Sequence, residues 1–507
     1  MLYNTQTRPQ NPILMFAITK NTSFYFMTVI VLSFICRLFF LAHHELLVEE
    51  AYYWNYAAHL DFGYLDHPPL VALLIKLSNT LFGINEFAVR CPAMVCWMIT
   101  AYYSYKWSEL IQPGTGRFAV LLLSILPFFF LYSVVITPDL PLMACWSAAL
   151  YYLYRALCLR QARSWYAAGL AVGLGLLSKY TIVLLLLATG LYLLSSSQNR
   201  RWLGRKEPYL AALIMLLLFS PVIYWNATHD WMSFAFQSTR RFQGKFYFSL
   251  HQLLGLLVLF VTPIGLIGLS KLLYRQNSTV IIDKTTRQYI QYYTIIPFMV
   301  FAVFSLSREL KWNWIGPGLL ALLPWLALLM HQQRTTLKQW LYISPVLLAS
   351  YTFVFFCISF GQPVFFNQLF FSKMISWEKL TQQYQDIAST LETSGETPIF
   401  IPLDTYSIAS ELAFYQAKYS KAHPEFKPFR IHDASLFGFD GLMFKMWSQF
   451  SLHGKTVIFI GKEANSFDND LMLTAVQSLS PIHQIWGLSQ GQHNKVRPYY
   501  YKIAKMK

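Results

Sequence analysis

The sequence predicts a multi-spanning α-helical membrane protein with a small α/β extramembrane domain at its C-terminal end. Three observations predict this. Hydrophobic residues are 55% of the 507 and charged ones 13%, with a mean hydropathy of +0.38, a balance that suits a bilayer and not water. Apolar runs near the length of a crossing, about 20 residues, recur from Phe24 to Phe360. From Gly361 the chain turns polar, and short strand-like and helix-like patterns replace the long runs.

The expected spans are 24–42, 88–107, 116–133, 139–157, 164–177, 180–195, 208–225, 250–273, 289–306, 313–330 and 339–360, about 11 in all. Leu70 to Phe82 is apolar but short, so it reads as an interfacial or re-entrant helix. Residues 1–23 read as a cytoplasmic segment before a retained signal anchor, because no small-residue cleavage site follows Ala42. Residues 24–360 are expected to form the membrane domain and 361–507 the extramembrane one. Gly361 to Ser376 is a Phe-rich linker. In the tail, Thr397 to Leu403, Thr456 to Gly461 and Arg497 to Ile503 read as strands, with helices over Tyr406 to Lys418 and Leu471 to Ser478.

Loop charge orients the spans. Arg117, Arg155, Arg160, Arg163, Arg200, Arg201, Arg205, Lys206, Arg275, Lys284, Arg287, Arg334 and Lys338 fall on one side, which the positive-inside rule makes cytoplasmic. The opposite side receives the Glu49 loop, the Thr137-Pro138-Asp139 corner, the Ser178-Lys179-Tyr180 turn, the Asn226 to Phe248 loop and the Arg308 to Asn313 loop. The formal charge of +16 lies mostly in such short loops, which argues for anionic lipid and against nucleic acid as its partner. Aromatic residues, 17% of the chain, suit interfacial belts and a groove that stacks on sugars. Cys36, Cys91, Cys96, Cys145, Cys158 and Cys357 all fall in or beside apolar runs, with neither a disulfide framework nor zinc-like spacing.

The candidate chemistry gathers on the non-cytoplasmic side. Glu49 and Glu50 follow the first span and open a helix-period stretch beside Tyr52, Tyr53 and Trp54. A helix N-terminus would keep both acids ionised, as a general base requires; one of them could equally serve only that helix dipole. Asp66-His67-Pro68-Pro69 is a polar loop stiffened by two prolines. His67 could donate to a phosphate, or the loop could be a turn held by Asp66. Asp139 reads as a helix N-cap aimed into the same cleft. Lys179 either snorkels to headgroups or grips a phosphate. Arg240, Arg241 and Lys245 form a basic outer loop, and Arg308, Lys311, Trp312, Asn313 and Trp314 mix cations with indoles at the start of a span. His43 and His44 are poorly spaced for a metal site. The sequence leaves a divalent cation open as a cofactor.

Several of these pieces together resemble the GT-C-fold polyprenyl-phosphate-sugar glycosyltransferases. They are Glu49-Glu50-Ala51-Tyr52-Tyr53-Trp54, His59-Leu60-Asp61-Phe62-Gly63-Tyr64, Asp66-His67-Pro68-Pro69-Leu70, Thr137-Pro138-Asp139-Leu140-Pro141-Leu142 and Gly173-Leu174-Gly175-Leu176-Leu177-Ser178-Lys179-Tyr180. The resemblance covers roughly residues 24–330 and points to the bacterial branch of the dolichyl-phosphate-mannose protein mannosyltransferase family, related to the lipid A aminoarabinose transferases. It implies a GT-C-like catalytic domain in the bacterial inner membrane, with an extracytoplasmic active site. Glu49 corresponds to the catalytic base, with Glu50 and Asp139 shaping the site. Tyr53, Asp66, His67, Lys179, Arg240, Arg241, Arg308 and Lys311 become the expected substrate-binding residues. The implied donor is a polyprenyl-phosphate-linked sugar and the acceptor a hydroxyl of a lipid, glycan or protein. Direct displacement would invert the anomeric centre. Three other readings compete: a lipid-linked-sugar flippase, which should carry charges within spans and repeated halves, an assembly protein that acts through the tail, and, closer in chemistry, a ligase that uses pyrophosphate-linked glycans.

Overall fold

The computed structural model describes residues 20–239, 246–274, 280–360, 375–392, 398–423, 428–489 and 495–507. Most of the expected N-terminal segment and Phe-rich linker, and the basic loop with Arg240, Arg241 and Lys245, therefore lie outside the described residues.

The membrane-type part is helical. α1 (Lys20–His43) is followed by α2 (Val48–Ala58), α3 (Leu70–Phe82), α4 (Glu86–Ile111), α5 (Gly116–Ile125), α6 (Pro127–Tyr132), α7 (Asp139–Leu157), α8 (Ser164–Leu176) and α9 (Val183–Leu194). α10 (Lys206–Thr228), α11 (Leu250–Leu273), α12 (Lys284–Ser305), α13 (Leu323–Gln332) and α14 (Arg334–Phe360) complete it, with short helical turns between. The apolar runs thus become helices close to their expected bounds. The span count does not carry over directly. Among the described residues five helices are long and apolar enough to cross a membrane, or six if the bent pair Tyr180–Leu194 and Ser197–Gly204 is one span.

Two local causes separate the runs from the helices. The expected span 116–133 breaks at Leu126, whose extended backbone (φ −63°, ψ 134°) precedes Pro127, as the residue before a proline prefers. The break frees the Ser124 carbonyl, which accepts from Arg37 Nη2 at 3.1 Å and Ser33 Oγ at 2.9 Å on α1. The run at 164–177 yields a helix of only 13 residues. α8 lies hard against α10 because Gly169 has no side chain: a Cβ there would stand 2.4 Å from the Ala211 carbonyl oxygen. Large side chains left exposed on α1 and α10, among them Phe24, Ile35, Leu213 and Leu217, suit lipid rather than water.

The tail holds α15 (Trp377–Glu392), α16 (Ser407–Ala422) and a six-stranded sheet. Its strands are β1 (Ile399–Pro402), β2 (Arg430–Ile431), β3 (Thr456–Gly461), β4 (Val476–Leu479), β5 (His483–Leu488) and β6 (Lys495–Met506). The order is β2-β1-β3-β6-β4, and β5 also pairs with β6. β1 is parallel to β2 and β3, whereas β6 is antiparallel to its neighbours. β1 and β3 are buried throughout, which explains why they read as unbroken apolar runs. The expected helix 471–478 is instead a short helix, Asp470–Ala475, that passes directly into β4.

The tail is packed onto the start of the membrane part. Glu45, between α1 and α2, accepts from Ser376 Oγ at 2.5 Å and Trp377 N at 2.6 Å and so caps α15. α16 lies along α2: Tyr415 Oη accepts from Leu46 N at 2.8 Å, Asn55 Nδ2 donates to Ser410 O at 3.2 Å, and Phe414 meets Trp54 edge-on.

Candidate active site

α2 places its first turn where a cavity of about 390 Å³ opens between α2, α7 and the turn at Trp312. Residues 49 and 50 point about 100° apart around a helix, so the two acids part company. Glu49 is exposed and lines the cavity. Glu50 turns inward and is completely buried against Arg90 of α4. Its Oε2 accepts from Arg90 Nη2 at 2.7 Å and from Leu47 N at 3.0 Å, and its Oε1 from Arg90 Nε at 2.9 Å and Ile136 N at 3.2 Å. Glu50, expected to take part in the site, is held away from the cavity: each oxygen already accepts hydrogen bonds, and it does not line the cavity.

The opposite wall is built by α7 and the turn after α8. Asp139 is the first helical residue of α7, after Pro138, and it corrects the N-cap expectation. Its carboxylate faces the cavity, accepting from Lys179 Nζ at 2.8 Å on one oxygen and from Asn313 Nδ2 at 2.8 Å on the other. Lys179 stands in extended backbone just after α8. Ser178 Oγ donates to Pro138 O at 2.6 Å and pins that turn to the start of α7. Leu70 N donates to Leu177 O at 2.8 Å, which brings the Pro68-Pro69 loop, and His67 with it, to the same place. The Lys179–Asp139 pair is nearly buried, with side chains 9% and 3% exposed.

Aromatic faces and one more cation finish the cup. Tyr53, Tyr132, Trp312 and Trp314 line it, with Thr137 and Lys311. Among the described residues neither Glu49 nor Lys311 has an ion-pair partner. Tyr406, at the head of α16, packs its ring 4.7 Å from that of Tyr52. Burial, then the charges of Glu49, Asp66 and Asp404, push its hydroxyl up to about 12, so the tail reaches the electrostatic field of the site. A second cavity of about 370 Å³ shares His67, Lys179 and Trp314 with the first. Its other walls are mostly apolar, from Val183 and Leu184 of α9 and Val300, Phe301 and Phe304 of α12.

Glu49, Tyr53, His67, Asp139, Lys179 and Lys311 of the expected set are thus brought together. Asp66 is not: its carboxylate turns to the Tyr52 and Tyr56 hydroxyls, as the neighbour of a cavity-facing His67 must. Arg308 lines neither cavity; its carbonyl accepts from Ser249 Oγ at 2.6 Å. Arg240 and Arg241 lie outside the described residues. Sequence reasoning passed over Tyr132, hidden in a Phe-rich run, and Arg90. Arg90 carried a signal, since a cation at the end of an apolar run asks for a buried acid. Among the described residues no group of three or more His, Cys, Asp or Glu side chains converges as a metal site.

The sequence profile of the dolichyl-phosphate-mannose-protein mannosyltransferase family matches residues 66–225. A lipid A galacturonosyltransferase of Rhizobium johnstonii, RgtD, is 26% identical over 188 residues, 37% of this chain and 39% of its own length. The chain thus spans about two fifths of the length of that curated relative. The crystal structure of ArnT from Cupriavidus metallidurans in the apo state is similar over 96% of this chain and 98% of that one, with a TM-score of 0.64 and 15% identity. The same protein bound to undecaprenyl phosphate gives 0.63 and 14% over 95% and 98%. These likenesses agree on a helical membrane fold of the GT-C kind, like that of ArnT.

Proposed function

We infer that this chain, as a relative of those transferases, is an integral membrane glycosyltransferase that moves a sugar from a polyprenyl-phosphate carrier to a hydroxyl of a lipid acceptor. The carrying observation is one cavity in which an unpaired carboxylate, Glu49, shares walls with the Lys179–Asp139–Asn313 group and Lys311, joined to an apolar neighbour through His67, Lys179 and Trp314. The two compartments suit a molecule with a polar head and a greasy tail. The ArnT structure bound to undecaprenyl phosphate and the lipid A specificity named for RgtD support the donor and acceptor classes.

The reaction needs little machinery. The acceptor oxygen attacks the anomeric carbon as the bond from that carbon to the phosphate oxygen breaks, and the electron pair leaves with the phosphate. Glu49 takes the acceptor's hydroxyl proton. Lys179, Lys311 and His67 receive the negative charge that grows on the leaving phosphate, which therefore needs no proton of its own. Trp312, Trp314, Tyr132 and Tyr53 offer faces for the sugar ring. Attack from the side opposite the phosphate inverts the centre.

By loop charge the site belongs on the extracytoplasmic face of a bacterial inner membrane, with residues 361–507 on the same side. The full span count in this reading stays near eleven, the short helices α5 with α6, α8 and α9 crossing within the bundle, where backbone is shielded from lipid. The test is purified protein with a labelled polyprenyl-phosphate sugar and a lipid A acceptor. Sugar transfer with inversion supports the reading. Movement of the labelled lipid across liposomes without bond cleavage would replace it with a transporter.

A further inference from the structure

The seam between α16 and α2 contains one group the reaction does not use. Glu411 of α16 is fully buried, and neither of its carboxyl oxygens has a hydrogen-bond partner among the described residues. The titratable and charged groups around it are Glu45, Glu50, Glu49 and Arg90 of the membrane part, Tyr499 of β6 and, on its own helix, Tyr415. Arg90 makes no hydrogen bond to it among the described residues: its Nε and Nη2 donate to Glu50, its Nη1 to His44 O at 2.7 Å and its Nη2 also to Glu45 O at 2.7 Å. Glu45 is itself occupied with the start of α15. One guanidinium thus stands among two buried carboxyls and the half-buried Glu45. An ionised Glu411 would be a buried charge without a counter-ion, a state that proteins avoid by keeping the proton.

We propose that Glu411 is a positioning residue for Glu49: as a neutral carboxylic acid it seats the tail on α2, and loss of its proton unseats the helix that carries the base. Glu411 sits one residue from Ser410, whose carbonyl holds Asn55, and one turn from Tyr415, which holds Leu46. Those two contacts bracket the first turn of α2. Burial, reinforced by Glu45, Glu50 and Glu49 and opposed by Arg90, puts its carboxyl well above the usual carboxylate range, in agreement with the geometry. The tail is then part of the catalytic frame, and alkaline conditions release it.

The inference rests on the proposed role of Glu49 only for its purpose; the seating itself is measured without substrate. Hydrogen–deuterium exchange of residues 48–58 is followed in the full-length protein from about pH 6 to about pH 9. Glu45 also titrates in this seam, so wild type should lose protection through both acids as pH rises. Glu411→Gln should remove the Glu411 contribution and, at about pH 9, exchange at least about tenfold more slowly than wild type. Glu411→Leu, apolar and similar in volume, should do the same if the glutamine is poorly tolerated. Exchange in both variants equal to wild type at about pH 9, or faster than wild type at about pH 6, overturns the proposal. Glu49→Gln removes only the least of the three acid charges that act on Glu411, so the loss of protection with rising pH should remain. If Glu49→Gln still transfers sugar, the base assignment falls and the exchange result stands by itself.

Discussion

Replacing Glu49 and Glu50 by glutamine, one at a time, separates two roles that adjacent identical residues would otherwise blur. Glu49→Gln keeps the side chain's size and removes its basicity. A positioned base contributes about 100- to 10,000-fold, so kcat should fall by that factor, about 3–5 kcal/mol of barrier. Its stability should hardly change, because Glu49 is exposed and has no ion-pair partner among the described residues. Glu50→Gln should do the reverse. It leaves the Arg90 guanidinium buried with 0% exposure and no anion beside it, and breaking such a pair costs about 3–5 kcal/mol. The thermal midpoint in detergent should drop by several degrees while kcat, measured well below the midpoint, stays within a few-fold of wild type. Replacing both members, Glu50→Leu with Arg90→Leu, should recover much of the loss. The assays are release of labelled sugar from a polyprenyl-phosphate carrier and a melting curve on the same preparation. Full activity in Glu49→Gln, or an unchanged midpoint in Glu50→Gln, would refute the division of labour.

Lys179→Met should raise the donor KM about tenfold or more and lower stability, since Asp139 would keep only Asn313 as a partner. Adding Asp139→Asn should restore the melting midpoint but not the KM, as a double-mutant cycle on both readouts would reveal. Burial pushes Glu45 up to about 7, against the donors Ser376, Trp377 and Glu378. A raised carboxyl favours the docked state fully below about pH 4.5 and loses that contribution as pH rises through about 7. Protease sensitivity of the tail should therefore increase over that window, and Glu45→Gln should flatten that rise. Gly316→Ala would put a methyl 1.7 Å from the Phe128 ring; overpacking of this kind costs about 1–3 kcal/mol, and Phe128→Leu in the same chain should return part of the lost midpoint.

The sequence was most readable where periodicity and physics act locally. Asp139–Leu157 and Thr456–Gly461 come from runs whose ends coincide with caps, turns and prolines. The span count was not readable, because an apolar run looks the same whether or not it breaks: nothing in the hydropathy of 116–133 distinguishes a straight helix from one interrupted before Pro127. At the site, residue types were legible and directions were not. Two acids in a row must diverge on a helix, so Glu50 was bound to leave the cavity that Glu49 faces. Asp66 and His67 divide in the same way on their loop. Tyr132 and Tyr406 had no signal to give, since both matter only through contacts with segments distant in the chain. Arg90 was the one partner that charge reasoning could have recovered.

Lys179, which borders both cavities, bears on how quickly the proposed enzyme would let go. Under that proposal, a phosphate that arrives beside Lys179 would meet a cation already half claimed by Asp139, 2.8 Å away. It would not be gripped as tightly as by a lone ammonium. After the bond is cut, Asp139 would take the lysine back, and the spent carrier, more negative than when it came, would not be trapped. A weak hold on the departing lipid would then sustain repeated turnover.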